Sequence, residues 1–336
     1  MQAPIIGLDI SKNVFQVHAT DKAGRAVLRR RLRRGDVLRY FANLDRCVVG
    51  IEACHSSHYW ARQLLALGHE VRLIPTQYVK PFLRGGKNDA NDAEAICDAA
   101  SRTAIHWVPV KSAEQQAVQA LHRTRERLIH ERTAKANQIR SLLAEEGIVC
   151  AKGIARLRRR IHELLGEEDS ITPLLKTLVV LSLEQLEAAD RWIAELDLKV
   201  RQLFKQSELC QQLARLPGVG PVIATAILGG VANPKAFKNG RQFAAWLGLT
   251  PRQRSSGGRA QLLGITKHGD RYLRTLLVQG ARAIMKVARR HEDRQSQWVR
   301  QLSLRRHKHV VAVALANKLA RTIWAMLIKG DAFRLA

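Results

Sequence analysis

Asp89 and Asp92 stand three residues apart in Gly85-Gly86-Lys87-Asn88-Asp89-Ala90-Asn91-Asp92-Ala93-Glu94-Ala95-Ile96, which reads as a basic glycine loop running into a helix. On a helix that spacing puts both carboxylates on one face, one turn apart. Like charges so close repel, and folding does not need them adjacent. A hard divalent cation such as Mg²⁺ relieves the repulsion, since it takes oxygen ligands from one or two carboxylates plus phosphate. The alternative is helix N-terminal chemistry, with Asn88 or Asp89 as N-cap and Asp92 favoured by the dipole. Two more acids upstream favour the cation. Asp9 lies in the apolar run Ile5-Ile6-Gly7-Leu8-Asp9-Ile10, where an unpaired buried carboxylate is costly or is forced neutral. Glu52 closes the apolar run Cys47-Val48-Val49-Gly50-Ile51-Glu52. The alternative for Asp9 is a strand end in water.

The elements around these acids predict how they meet. Residues 4–20 carry a strand signature broken at Ser11-Lys12, the turn Asp21-Lys22-Ala23-Gly24 follows, and Ala26-Val27-Leu28 begins a third strand. Residues 36–46 read as a helix, 47–52 as a fourth strand, 58–67 as a helix and 70–74 as a fifth strand closed by Pro75. Three strands, helix, strand, helix, strand, helix is the layout of an α/β ribonuclease-H-like sheet. In it, strands one and four are neighbours, so Asp9 and Glu52 come together beside the helix of Asp89 and Asp92. His55 and His58 follow Glu52 and read as polar surface or substrate contacts rather than metal ligands.

The 336 residues suit two or three domains, and 56 Lys plus Arg against 29 Asp plus Glu give a net charge of +27. Such an excess opposes compaction unless a polyanion neutralises it; nucleic acid leads, with a membrane surface as the alternative. No apolar run reaches the roughly 20 residues that span a bilayer, and the start lacks a signal peptide's layout. Five cysteines with no Cys-x-x-Cys pair argue against a zinc site or disulfide framework and for a reducing cytosol.

Trp107-Val108-Pro109-Val110 reads as a domain edge, so the expected divisions are 1–110, 111–212 and 213–336. Residues 112–143 are helical and rich in arginine; a basic segment at 156–160 follows, and 174–214 resume a long helix. Together they read as an antiparallel helical hairpin or coiled coil, whose arginines are either a solvated face or contacts to a nucleic-acid backbone. Leu216-Pro217-Gly218-Val219-Gly220-Pro221 has a helix-hairpin-helix pattern, in which Gly218 and Gly220 let the backbone approach a phosphate; a plain helix–helix turn is the alternative. Arg252, Arg254 and Arg259 flank Ser255, Ser256, Gly257 and Gly258 in what reads as a loop able to hold a phosphate near a hydroxyl. Lys267 leads into another basic helix, and Val310 to Ile328 reads as an apolar core helix.

In Ile6-Gly7-Leu8-Asp9, Ile51-Glu52-Ala53, Lys87 to Ala93, Leu216 to Gly220, and Phe243 to Pro251 followed by Ser255-Ser256-Gly257, the chain closely resembles insertion-sequence transposases of the IS-one-ten family, including its IS-eleven-eleven branch. The resemblance spans nearly the whole chain. It implies a RuvC-like DEDD domain, a helical coiled coil, and a mostly α-helical C-terminal serine domain. Asp9, Glu52, Asp89 and Asp92 then hold Mg²⁺ on the scissile phosphate. Ser256, directly before the first glycine, attacks phosphorus to leave a phosphoserine link to DNA, with Ser255 as runner-up. Lys87, Arg252, Arg254, Arg259 and Lys267, with Gly218 and Gly220, grip nucleic acid. Donor and target DNA, a bridge RNA that specifies both sequences by pairing, and an assembly of two to four copies complete the implied system in the bacterial cytoplasm, at the nucleoid, with no membrane partner. Two other functions fit the residues alone: a metal-dependent nuclease or junction resolvase using water, and a non-enzymatic nucleic-acid-binding scaffold.

Overall fold

The computed structural model describes residues 5–21, 23–83, 88–167, 171–256 and 259–329, with the backbone alone at Ser256 and Ala260. Two compact units divide the chain, Met1–Gln116 and Ala117–Ala336.

The first unit is built on a five-stranded sheet. β1 (Ile5–Asp9), β2 (Val14–Thr20) and β3 (Ala26–Arg33) form an antiparallel meander, and β4 (Val48–Glu52) and β5 (Glu70–Ile74) run parallel to β1, in the order β3-β2-β1-β4-β5. The first and fourth strands are neighbours, as the element order predicts. The helices are α1 (Val37–Ala42), α2 (Ser57–Ala66), α3 (Thr76–Val79) and α4 (Asp89–Ala100). The helix expected over 36–46 is shorter at both ends: Arg34–Asp36 form a 3₁₀ turn ahead of α1, and α1 stops at Ala42 with Asn43 as its C-cap.

Strand alternation sorts the residues of this sheet onto two faces. Ile6, Leu8, Phe15, Val17, Val49 and Ile51 pack on one face against Val37, Phe41, Trp60 and Leu64 from α1 and α2. Each such side chain, fully buried, contributes roughly 1.5–3 kcal/mol. Gly7 and Gly50 lie on the other face, paired in register across β1 and β4. There α4 packs with Ala95, Ile96, Ala99 and Ala100, forming a smaller core with Ile74 and Val79. A Cβ on Gly7 would sit 2.1 Å from the Ala93 carbonyl oxygen, and one on Gly50 would sit 2.5 Å from the Ala100 Cβ. Small residues on both sides let the helix lie directly on the strands.

In the second unit, α5 (Ala113–Glu145, which enters from the end of the first unit), α6 (Ile154–Gly166) and α7 (Pro173–Gln206) share a core of Ala136, Ile139, Leu143, Leu157, Ile161, Leu164, Val179 and Leu186. Ion pairs from Arg125 to Asp197 (2.6 Å) and from Arg132 to Asp190 (2.9 Å) show α5 and α7 running antiparallel. The basic segment expected to separate them is itself a helix, α6, with Leu157 and Ile161 inward and Arg158 paired to Asp190. Nor is 174–214 one helix. It breaks at Ser207, whose hydroxyl caps α8 (Glu208–Leu213) by accepting from the Cys210 amide.

A second core joins α8, α9 (Pro221–Gly230), α10 (Gly240–Trp246), α11 (Arg271–Val287), α12 (Arg294–Arg305) and α13 (Lys308–Lys329). Of these, α13 alone is long and apolar enough to cross a membrane among the described residues; Val311, Leu315, Leu319, Ile323 and Met326 recur every three to four residues in the buried core, which makes it the core helix the sequence suggests. Buried His122 pins α5 to this bundle. Its Nε2–H donates to Thr225 Oγ1, whose own hydroxyl donates to the Pro221 carbonyl, and its Nδ1 accepts from Tyr272, each ring contact being 3.0 Å. That pattern needs a neutral ring, and burial, then Arg125, pushes the imidazole down to about 4.

The segment read as a phosphate-holding loop is an antiparallel ribbon, β6 (Pro251–Ser256) paired with β7 (Arg259–Ile265). Polar, exposed β6 has no apolar alternation to announce a strand.

Candidate metal centre

Asp9 ends β1, and Glu52 ends β4 one residue beyond the register pair Leu8–Ile51. Counting by two from Gly7 and Gly50 puts both acids on the α4 face of the sheet. Asp89 and Asp92 occupy the first turn of α4. Asn88 is the N-cap, its Oδ1 accepting from the Asn91 amide at 2.9 Å. Capping is therefore the work of Asn88, and the two aspartates are not needed for it. Close seating of α4 over Gly7 and Gly50 then carries its first turn to the carboxyl end of β1.

The outcome is a group of three acids. Asp9, Asp89 and Asp92 each present a carboxylate oxygen, and these oxygens lie within 4.8 Å of one another. Asp9 and Asp92 are half-buried and Asp89 is exposed. Glu52 stands outside that group, yet its charge reaches Asp9. Burial first, then repulsion from Asp92, Asp89 and Glu52 in that order, pushes the Asp9 carboxyl up from 3.8 to about 6. Near neutral pH Asp9 is still mostly ionised, so a concentrated negative charge sits in a chain of net charge +27. An all-oxygen donor set with mutually repelling carboxylates suits a hard divalent cation.

Neighbouring groups are less suited to chemistry. Burial, with Glu52 and Asp9 nearby, pushes the Cys54 thiol up to about 11, which makes it a poor nucleophile near neutral pH. His58 Nδ1 accepts from the Lys111 amide at 3.2 Å, a tether across the unit, while His55 is exposed. Ser56, in the left-handed region at φ 62°, turns the chain from the acid of β4 into α2. Sequence reasoning missed the seat beneath α4; the two glycines inside strands Ile5–Asp9 and Val48–Glu52 were its available signal.

The remaining positions singled out from the sequence lie elsewhere. Lys87 falls outside the described residues, as do Gly257 and Gly258. Ser256 ends β6 opposite Arg259; its side chain is likewise outside the described set. The exposed Ser255 accepts a hydrogen bond from Gln253 Nε2 at 2.8 Å. Arg252, Arg254 and Arg259 are exposed along the ribbon, and Lys267 is exposed with φ 58°. Gly218 has a packing reason: it adopts φ 78°, and a Cβ there would lie 2.6 Å from the Gly280 carbonyl oxygen of α11. Nothing would meet a Cβ at Gly220, the N-cap of α9. Among the arginines of α5, Arg125 and Arg132 are committed to Asp197 and Asp190 and Arg127 to Glu131, while Arg123 and Arg127 also line an open cavity of about 690 Å³.

Two family models match the chain. One, described as a transposase of the IS110 DEDD type, covers residues 6–147 and so all four acids; the other, described as the transposase IS116/IS110/IS902 family, covers residues 210–297. The chain is 46% identical to a probable family 20 transposase of Pseudomonas aeruginosa, over 98% of both proteins. The chain belongs to the IS116/IS110/IS902 family of transposases. This transposase is also 38% identical to the transposase for insertion sequence element IS1328 of Yersinia enterocolitica, over 98% of each. It is 39% identical to that of IS1111A from Coxiella burnetii, over 98% of this chain and 91% of the relative. An insertion-sequence transposase acts on DNA by cleavage and strand transfer, and the clustered acids are the part of this one suited to a divalent ion.

Proposed function

We propose that the transposase cuts and exchanges DNA strands through a phosphoserine link, with Asp9, Glu52, Asp89 and Asp92 as the Mg²⁺-binding acids of a ribonuclease-H-like, RuvC-like domain and Ser256 as the nucleophile. The observation that carries this is the group of Asp9, Asp89 and Asp92 at the carboxyl end of β1, oxygens within 4.8 Å, in a chain of this family. Mg²⁺ there would offset the negative charge that builds on the phosphate in the transition state.

The chain's own groups do the rest. As the Ser256 Oγ–phosphorus bond forms, the bond from phosphorus to the leaving sugar oxygen breaks; the serine proton is lost and the leaving oxygen gains one. A hydroxyl of the incoming strand then attacks the same phosphorus and releases the serine. The phosphodiester energy stays in the covalent link, so the exchange needs no nucleotide hydrolysis. Two features support Ser256 over Ser255. The Ser255 hydroxyl is engaged by Gln253 on its own side of the ribbon, and alternation puts position 256 on the other side, beside Arg254 and opposite Arg259. These arginines, with Arg252, Lys267, Lys87 and the turn of Gly218 and Gly220, are the proposed backbone grips. Domains 1–110, 111–212 and 213–336 then act as nuclease, assembly and serine parts. Two to four copies assemble on donor and target DNA, and a bridge RNA sets the sequences to be joined, in the cytoplasm at the nucleoid.

The test mixes protein, Mg²⁺, the element's flanking RNA and labelled donor and target DNA. A protein–DNA adduct that survives denaturant is expected in wild type and Ser255→Ala and absent in Ser256→Ala. Cleavage with no adduct under any condition would instead support water as the nucleophile.

A further inference from the structure

The metal face of the sheet extends beyond the acids. Asp9 pairs with Gln16 of β2, and Gln16 pairs with Arg31 of β3, so the three residues form one row across the strands. Residues in one row share a face, and adjacent strands lie about 4.8 Å apart, which sets the Arg31 Cα on the order of 10 Å from that of Asp9. The next row, Gly7, His18 and Arg29, confirms the facing: Arg29 Nη2 donates to Glu94 of α4 at 3.0 Å. The intervening residues face the other way. Leu32 is buried against α1 and α2, and Arg30 lies over the Tyr40 ring at 5.1 Å.

Arg29 is thus committed to Glu94, while exposed Arg31 has no ion-pair partner among the described residues. Together with Gln16, Arg29, Arg30 and Ala90 it lines a hollow of about 240 Å³ beside the first turn of α4, although the Arg30 guanidinium itself turns away to the Tyr40 ring. Charges on an edge strand also block edge-to-edge pairing, but that need is indifferent to the face. A DNA strand drawn to the acid group has a specific difficulty. The cation offsets the charge of one phosphate, and the next phosphates along the strand meet the repulsion of the remaining carboxylates. A guanidinium on the same face, within reach of a neighbouring phosphate and able to bind it through two N–H groups, removes that difficulty.

We infer that Arg31 is a positioning residue that holds a DNA phosphate adjacent to the scissile one, fixing the register of the strand over Asp9, Asp89 and Asp92. This rests on the metal-site reading above. The strand-exchange assay is run with the donor strand carrying a single neutral methylphosphonate, moved through the three phosphates on either side of the cut. With unmodified DNA, Arg31→Ala is expected to lower the cleavage rate about ten- to hundredfold, and Arg31→Lys to restore part of it. Arg30→Ala, which removes the same charge from the opposite face, is expected to stay within about twofold of wild type. In wild type one methylphosphonate position reproduces the loss; in Arg31→Ala that position costs nothing further. Wild-type cleavage by Arg31→Ala overturns the inference, as does an equal methylphosphonate penalty in Arg31→Ala and wild type, or an Arg30→Ala loss as large as that of Arg31→Ala. Asp9→Asn is run alongside: full activity there defeats the metal-site reading itself, whereas an inactive Asp9→Asn with an unaffected Arg31→Ala defeats only the role of Arg31.

Discussion

Gly7 of β1 and Gly50 of β4 lie side by side in register, and α4 rests on the two of them. A methyl group at Gly7 would meet the Ala93 carbonyl at 2.1 Å and the Cys97 amide nitrogen at 2.5 Å, both main-chain atoms that cannot swing away. Gly7→Ala is therefore expected to lift α4 and cost about 3 kcal/mol of unfolding free energy. Because Asp89 and Asp92 ride on that helix, divalent-ion binding should weaken with it. Urea unfolding, paired with an ion titration on the folded fraction, reads both effects.

The raised Asp9 carboxyl gives a pH dependence with a definite sign. Its folded value is about 6 against an ordinary 3.8, so the folded metal-free protein binds this proton more tightly than the unfolded chain. The acid therefore destabilises the metal-free fold above pH 6, and the penalty fades as pH falls from 6 towards 3.8. Asp9→Asn should stabilise the metal-free protein at pH 8 by on the order of 2 kcal/mol while abolishing cleavage. A divalent ion competes with the same proton, so its affinity should fall as pH drops below 6.

His122 has the opposite sign. Its folded value is about 4 against an ordinary 6.5, so the unfolded chain binds the proton first. Stability from the neutral ring is complete above 6.5 and is lost progressively towards pH 4, on the order of 3 kcal/mol in all. Measured between pH 7 and pH 4, His122→Gln should lose less stability than wild type.

With a net charge of +27 and exposed arginines on β3 and along β6, binding to DNA should weaken steeply with salt. The logarithm of affinity is expected to fall linearly with the logarithm of salt concentration, as counterions are released from each contacted phosphate. Arg254→Ala should make that slope shallower, read by fluorescence anisotropy on a labelled duplex.

The sheet was legible because its strands are short apolar runs bounded by turn residues, and because an acid at each of two strand ends has few structural excuses. Of the two cap candidates the sequence offers, Asn88 and Asp89, it is Asn88 that caps α4. What the residue pattern did not reveal depends on contacts distant in sequence. The seat of α4 needs Gly7 and Gly50 opposite Ala93, Cys97 and Ala100. Strand β6 of the ribbon is Pro-Arg-Gln-Arg-Ser-Ser, whose strand state comes from its pairing with β7 rather than from burial. The break at Ser207 falls in a continuous helical pattern and is marked only by a capping hydroxyl. His122 looks like one more polar residue on a charged helix until Thr225 and Tyr272 close around it.

Asp9, Asp89 and Asp92 are proposed to hold a divalent cation between β1 and α4. Titration of Mn²⁺, a paramagnetic substitute for Mg²⁺, into the protein at pH 8 measures this directly by loss of the free-ion resonance. Saturable binding is expected in wild type and in Ser256→Ala, and its loss is expected in both Asp9→Asn and Asp92→Asn with the fold retained. Wild-type affinity in those two aspartate variants would contradict it.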